Sequence, residues 1–455
     1  MKRNIEDCMK PGERVHLVGV GGVSMAPLAE VLKGKGVEVT GSDMKESRAT
    51  GHLRALGIPV AIGHLPGNVE GAGCVIRTAA VHDDNPEIAA ALATGIPVFE
   101  RAQAWGAIMR HYKNALCVAG THGKTTTTSM CTHIFLAAGR DPSVMIGGTL
   151  PILGAGHRVG HGDTIIAESC EYCNSFLSFA PTVAVILNVE ADHLDFFKDL
   201  DDIKRSFRRF AQLVPPGGSV IINADNAGAR SVACGLDAFT FGLNAGAECT
   251  AVNLRQENGR SVFDIYVHDK PYAHAELQVH GRHNVSNALA AASAAYVLDV
   301  PGKAVEEGLG SFTGAGRRFE KKGVYRGADV YDDYAHHPDE LRALLTMTAS
   351  LGYRRVVCAF QPHTYSRTAA LFDDFVQVLR LPDVTVLAEI YAAREQNTLR
   401  ISSRDLAEKL PGSIYCPSPE SVTDCLAELA QPGDLILTVG AGDIYLAGEN
   451  LVKRG

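Results

Sequence analysis

The sequence predicts an α/β protein of three domains, with boundaries near residues 110 and 320. Three observations carry this reading. Short apolar runs of strand length recur along the chain, with helix-compatible stretches between them. The runs fall into three blocks, 1–110, 111–320 and 321–455, in which strands end on glycines or on clustered polar residues. A length of 455 residues is too great for one core of ordinary size, and 46% hydrophobic content supplies apolar material for several.

The first block opens with the strand RVHLVGV, a turn containing Gly19, Gly21 and Gly22, a helix through Lys35, and a second strand, VEVTGSD, ending at Asp43. This is a βαβ unit of Rossmann-like type. Its turn, GVGGVS, departs from the GxGxxG fingerprint at Ser24, and Asp43 stands where a ribose-binding acid is expected, so a nucleotide or sugar nucleotide fits here. Strands VIRTAAV (75–81) and IPVF (96–99) continue an open sheet.

The second block begins with ALCVAGTHGKTTTT at 115–128, a buried strand running into a glycine turn and a helix that starts near Lys124. Backbone amides through Gly120, Thr121, His122 and Gly123, with the positive end of the helix, suit phosphate oxygens. Lys124 would neutralise the β and γ groups, Thr125 would offer a hydroxyl to Mg²⁺, and Thr126 completes the first turn. Val118 stands where the standard pattern has glycine, so the loop is a shortened variant of a P-loop. Strands TIIAES (164–169), TVAVILNV (182–189) and SVIINAD (219–225) form a parallel sheet of ATPase type, and short alternating segments from 238 to 280 read as an antiparallel insert. The third block alternates strands at ADVYDDYA, RRVVCAF, DVTVLAEI and DLILTVG with helical patterns at 338–350 and 367–380, a second Rossmann-like unit.

Chemistry-bearing residues gather at strand ends, where parallel sheets place their ligand crevices. Glu168 and Glu171 follow one strand, and Asn188, Glu190, Asp192, His193 and Asp195 crowd the turn after the next. Asn284 and Asn287 sit at a helix start, where one can cap the helix and both can meet a base edge. In the last block, Asp332, Asp333, Tyr334, His336 and His337 follow one strand, His363 and Arg367 the next, and Glu389, Tyr391 and Arg394 a third. Three successive strand ends therefore point to one crevice, in which arginines suit a carboxylate. The adjacent Arg317 and Arg318 lie in an expected hinge, as solvated charge or as a phosphate contact.

Forty-three basic against 51 acidic residues, a net charge of −8, leave no electrostatic footprint for nucleic acid or an anionic membrane. The first residues carry charge where a signal peptide needs an apolar core, and no later run approaches a membrane span, so the cytoplasm is the expected compartment. Eleven cysteines read as reduced thiols; Cys170 and Cys173 form the one CxxC pair, without a second pair to complete a zinc site.

GVGGVSM, GTHGKTTTT, AESCEYCNSF, LNVEADHLD, GRHNVSNALAA, GAGRRFE, DDYAHHP and QPHTYSRT occur in this order along essentially the whole chain, and in this the sequence resembles the Mur ligase family. The resemblance implies a UDP-sugar domain, a central ATPase and a C-terminal domain that helps hold an amino acid, with closure preceding chemistry. It implies ATP and Mg²⁺ as cofactors, and UDP-N-acetylmuramate and L-alanine as substrates of a ligase acting through an acyl phosphate, in a monomer or homodimer. A ligase attaching a tripeptide to the same sugar is the alternative. Carried over by position, Lys124, Glu168, His193 and His336 would be catalytic, and Thr125, Glu168 and His193 would bind the metal. Asn284, Asn287 and Arg318 would join residues 120–126 at ATP; Gly21, Gly22, Ser24, Ser42, His64 and Asn68 would meet the UDP-sugar; and Tyr334, His336 and Arg367 the amino acid. Four positions depart from the family pattern: Cys170 and Cys173 replace acids, Thr364 stands where some members have arginine, and Arg208 lies near the place of a carbamoylated lysine in sister enzymes.

Overall fold

The computed structural model describes residues 3–455 except 79, 194, 195, 245, 258, 259, 350 and 394. The first sheet contains β1 (Arg14–Val18), β2 (Glu38–Asp43), β3 (Val60–Ile62), β4 (Cys74–Arg77) and β5 (Val98–Glu100), all parallel in the order β3-β2-β1-β4-β5. Alternate side chains of β1 and β4 enter different cores. Val15, Leu17, Cys74 and Ile76 pack on one face, while Val18 and Val75 pack with Ile88 and Ala91 on the other. Both faces are covered, which is why these strands read as unbroken apolar runs. The run read at 75–81 is strand only to Arg77, whose guanidinium turns aside to Glu100 and Asp83. The helix Pro86–Thr94 begins with Asn85 accepting from the amides of Glu87 and Ile88 and with proline in the first turn, and ends on Gly95 at φ 75°.

The central sheet has ten strands: β6 (Asn114–Ala119), β7 (Ser143–Leu150), β8 (Ala155–Arg158), β9 (Thr164–Glu168), β10 (Val183–Ile186), β11 (Ser219–Asn223), β12 (Ala238–Gly242), β13 (Cys249–Glu257), β14 (Arg260–Val267) and β15 (Lys270–Glu276). Their order is β15-β14-β13-β12-β11-β10-β6-β9-β7-β8. Residues 238–280 prove to be only partly antiparallel: β12 pairs parallel to β11 and β13 parallel to β12, and antiparallel pairing begins at β14. The segment therefore extends the central sheet. The hairpin β7–β8 at the opposite edge was not expressed in the sequence pattern, because its exposed glycines blur the alternation. The helix Lys124–Ala137 is buried nearly all round, and its threonines satisfy their hydroxyls on the preceding turn: Thr128 Oγ1 donates to Lys124 O and Thr132 Oγ1 to Thr128 O, both at 2.8 Å.

These two sheets and their helices form one compact unit, Met1–Gln278 with Arg282–Thr313. The helix Arg101–Met109 packs at their junction, where Trp105 and Met109 share a core with Cys117, Phe176 and Phe179. A Cβ on Gly106 would lie 1.8 Å from Ser178 O. Gly106→Ala must therefore push two backbones apart, and we expect a loss of about 3 kcal/mol, measured as a lower urea midpoint through the fluorescence of Trp105, the one tryptophan.

The second compact unit, Val279–Gly281 with Gly314–Gly455, has its own sheet. It comprises β16 (Glu320–Tyr325), β17 (Ala328–Asp333), β18 (Arg355–Phe360), β19 (Val384–Ala388), β20 (Ile414–Cys416) and β21 (Asp434–Val439), in the order β16-β17-β21-β18-β19-β20. Only β16 runs antiparallel to its neighbour. The edge strands β16 and β20 are half-exposed and lack the apolar runs that marked the others. The helical pattern at 367–380 is two helices, Tyr365–Ala370 and Phe372–Val378, broken at Leu371. Among the described residues no helix is long and apolar enough to cross a membrane.

Candidate active site

The loop after β6 carries the densest polar geometry in the first unit. Gly120 and Gly123 have φ of 153° and 83°, and a Cβ would meet Leu187 Cβ at 2.9 Å in the first case and Asn287 Oδ1 at 2.7 Å in the second. Only glycine fits at Gly123, on both counts. Asn188, at the end of the neighbouring strand, clamps the loop: its Oδ1 accepts from His122 N at 2.7 Å and its Nδ2 donates to His122 O at 3.1 Å. Thr121 Oγ1 accepts from Glu190 N at 2.9 Å. The helix Arg282–Val297 brings Asn287 against Gly123, and Asn287 Nδ2 donates to Asn284 Oδ1 at 3.1 Å.

Lys124 Nζ donates to Gly120 O, to Thr121 O at 3.0 Å and to Glu171 Oε2 at 3.0 Å. Burial by itself would lower the Lys124 pKa; the negative charge of Glu171, with Glu168 behind it, outweighs burial and holds the ammonium above its ordinary value. Thr125 Oγ1 donates to Glu168 Oε1 at 3.1 Å, and Glu168 Oε2 accepts from Gly147 N at 2.7 Å. Adjacent ligands of an octahedral Mg²⁺, with bonds of about 2.1 Å, stand roughly 3 Å apart. The Thr125–Glu168 pair already has that separation, so these two oxygens fit the ion.

His193 falls in a different group. Its Nε2 lies 3.9 Å from Glu171 Oε1 and 3.7 Å from Asp192 Oδ2, and one ligand atom from each of the three residues falls within 4.8 Å of the others. Its ring packs at 4.8 Å on Tyr172. The site thus has two carboxylate groups in the neighbourhood of Lys124, Glu168 with Thr125 and Glu171 with Asp192 and His193. Glu171 and Asp192 were visible as acids at strand ends, but which metal-ligating neighbour each meets was not. Asp195 lies outside the described residues. Cys170 and Cys173 are exposed and form no disulfide, and Cys173 and Asn174 have φ of 54° and 55°. Arg208 Nη1 donates to Val232 O and Cys234 O at 2.6 Å, a structural role.

At the C-terminal end of the first sheet, Gly21 N donates to Asp43 Oδ2 at 2.9 Å and Gly22 N to Gly19 O at 3.1 Å. Asp43, placed by its spacing as a ribose acid, thus holds the glycine turn. Ser24 Oγ accepts from Arg101, which also lines a cleft of 370 Å³ with Arg77, His82 and Asn174. Burial lowers the Arg101 pKa.

Ser42, His64 and Asn68 converge on one residue that the sequence reading missed, the fully buried Glu87. Burial pushes its carboxyl up, but the nearby His16 ring and the hydrogen bonds from Ser42 and Asn68 prevail and hold it down to about 2. A folded-state value below the unfolded 4.5 means that this stabilisation is complete above pH 4.5 and is lost as pH falls through 2. The advantage of the wild type over Glu87→Gln, about 3 kcal/mol at neutral pH, should shrink by about 2 kcal/mol at pH 3, read as the urea midpoint of Trp105 fluorescence. An unchanged gap would mean that Glu87 is not ionised in the fold.

In the second unit the three strand ends do meet. Tyr334 and His336 rings lie 5.5 Å apart, His336 and His363 5.8 Å, and His363 stacks on Tyr391 at 5.8 Å. Arg367 Nη1 is 3.3 Å from His363 Nδ1. Arg318 lies over the Tyr334 ring at 5.2 Å. Other members of the cluster hold the scaffold. Arg317 pairs with Asp332 at 3.0 Å and donates to Gly440 O and Gly442 O, which makes it a pin within this unit and not solvated charge. Asp333 accepts from Phe319 N and Ala335 N, and burial raises its pKa to about 6. Glu389 accepts from Tyr415 and Ser403 N. Arg394 lies outside the described residues.

Comparison with known proteins agrees with this arrangement. Residues 14–113 match the catalytic domain of the Mur ligase family, 118–295 the Mur ligase middle domain and 317–442 the Mur ligase glutamate ligase domain. The chain belongs to the Mur ligase family. The UDP-N-acetylmuramate–L-alanine ligase of Clostridium novyi is 45% identical over 447 residues, 97% of each chain. That of Acetivibrio thermocellus is 44% identical over 451 residues, 97% of this chain and 96% of its own. The crystal structure of the UDP-N-acetylmuramate–alanine ligase of Thermotoga maritima matches with a TM-score of 0.82 at 28% identity, covering 97% of this chain and 98% of that one.

Proposed function

We propose that this chain joins L-alanine to the lactyl carboxylate of UDP-N-acetylmuramate at the expense of ATP, in the synthesis of peptidoglycan precursors. The observation that carries the reading is Lys124, an ammonium fixed in a glycine loop beside Glu171, with the Thr125–Glu168 pair adjoining. Near full-length identity to L-alanine ligases supports the choice of amino acid. A lactyl carboxylate oxygen attacks the γ phosphorus, the bond to the bridging oxygen breaks, and an acyl phosphate and ADP result. The alanine amine then attacks the acyl carbon, expels inorganic phosphate and loses a proton.

The loop amides and Lys124 hold the phosphates in line, which in phosphoryl transfer is most of the catalysis. Thr125 and Glu168 would hold Mg²⁺, which when bound neutralises charge on the β and γ oxygens. Glu171, Asp192 and His193 offer a second set of ligands beside Lys124. In the second unit, His336, whose Nδ1 sits 3.0 Å from Tyr334 O, would orient the amine or assist its deprotonation. Arg367 supplies the cation for the amino-acid carboxylate. Eleven cysteines that form no disulfide among the described residues are in keeping with work in the reducing cytoplasm, and a monomer or homodimer is expected by sedimentation.

The test is phosphate release from ATP with UDP-N-acetylmuramate and a panel of L-alanine, glycine, L-serine and the muropeptide tripeptide. Release is expected with L-alanine foremost. Preference for the tripeptide would move the reading to a muropeptide ligase, and release with none would overturn both.

A further inference from the structure

We infer that Glu87 is a positioning residue that sets the hydrogen-bond polarity of the UDP-sugar site, turning His64 and Asn68 into paired acceptors for the imide N3–H of the uracil base. The inference rests on the reading above, in which Ser42, His64 and Asn68 face the sugar nucleotide.

Glu87 lies in the first turn of the helix Pro86–Thr94, after β4, and its carboxylate is wholly buried. An ionised carboxylate can only accept, so every group it touches must donate. Ser42 Oγ donates to Oε2 at 2.6 Å. His64 Nδ1 lies 3.0 Å from the same oxygen, which requires the proton on Nδ1, so that a ring carrying a single proton has Nε2 as its lone-pair acceptor. Asn68 Nδ2 donates one proton to Glu87 Oε1 and the other to Gly63 O at 3.2 Å. Both amide protons are thereby occupied, and Oδ1 is left to accept. On the far side, His16 Nε2 stands 3.7 Å from Oε1, and its Nδ1 lies 2.9 Å from Thr40 Oγ1.

A fully buried carboxylate is costly to retain unless its orientation does something that a neutral residue would not. Here the consequence is polarity. Ser42, His64 and Asn68 all turn donors toward the carboxylate, and of the three only the partly exposed His64 and Asn68 are left to present acceptors. A ligand read by such a surface must bring a donor, and uracil is distinguished by its N3–H, which cytosine lacks. A site built to accept from that group rejects analogues without it, because its own acceptors are then left unpaired.

The test measures binding of UDP-N-acetylmuramate and of its 3-methyluracil derivative by calorimetry, to the wild type and to Glu87→Gln. The wild type is expected to bind the parent compound at least about tenfold more tightly than the methylated one. In Glu87→Gln the amide NH₂ must face one of its former donors, forcing His64 or Asn68 to invert, so affinity for the parent should fall about tenfold or more and the preference between the two ligands should collapse. Retained affinity and preference in a folded Glu87→Gln would overturn the inference alone. Failure of the wild type to bind UDP-N-acetylmuramate would instead overturn the sugar-nucleotide reading. Should Glu87→Gln fail to fold, ¹⁵N shifts of the His64 ring in the wild type, assigned by loss of the signal in His64→Gln, decide the matter. The Nδ1–H tautomer supports the role, and Nε2–H overturns it.

Discussion

Lys124→Ala is expected to reduce alanine-dependent phosphate release by at least about 10³-fold while binding of UDP-N-acetylmuramate persists. Removing one neutral donor from a preorganised anion site already costs about 10² to 10³ in rate, and Lys124 carries a full charge in a buried setting. Its ammonium is held by Gly120 O, Thr121 O and Glu171, which places it at the mouth of the loop before nucleotide arrives. The substitution also strands Glu171, which is almost fully buried, without its cation. The double variant Lys124→Met with Glu171→Gln therefore separates chemistry from folding: it should recover thermal stability lost by the single variant and stay inactive. Turnover retained in either variant would remove Lys124 from the proposed chemistry.

Glu168→Gln is expected to lower turnover by about 100-fold and to raise the Mg²⁺ concentration for half-maximal rate by about tenfold or more. The amide can still accept from Gly147 N, so the end of β9 should keep its place. What disappears is the negative charge beside Thr125 Oγ1. A hard divalent ion that keeps several waters depends on such charge more than on the number of protein contacts. Thr125→Val, which exchanges the hydroxyl for a methyl of the same size, should shift the Mg²⁺ requirement in the same direction. A normal metal requirement in both variants would assign the metal to Glu171, Asp192 and His193 instead.

Much of the scaffold was legible because buried parallel strands write themselves as apolar runs. β1, β6, β9, β18 and β21 are of this kind, packed on both faces and central in their sheets. Edge elements were not legible for the converse reason. β8, β16 and β20 are half-exposed, and a strand whose faces meet water needs no apolar signature. The parallel placement of β12 and β13 was misread because period-two alternation marks a half-buried strand without stating the direction of its neighbour.

The sequence by itself determined where phosphate chemistry could occur. The loop from Gly120 to Thr126 needs contiguous residues, since backbone amides, a lysine and a hydroxyl must follow one another through a single turn. It also marked the strand ends at which Glu168, His193 and His336 stand. The tertiary structure alone decided partnership. It set Glu168 beside Thr125 but His193 beside Glu171, put Asn287 against Gly123, bound Asp332 and Asp333 to the scaffold, and placed Glu87 beneath Ser42, His64 and Asn68. These juxtapositions join residues far apart in the chain, and their roles follow from burial and from which donor meets which acceptor, quantities that exist only once separate strands have packed.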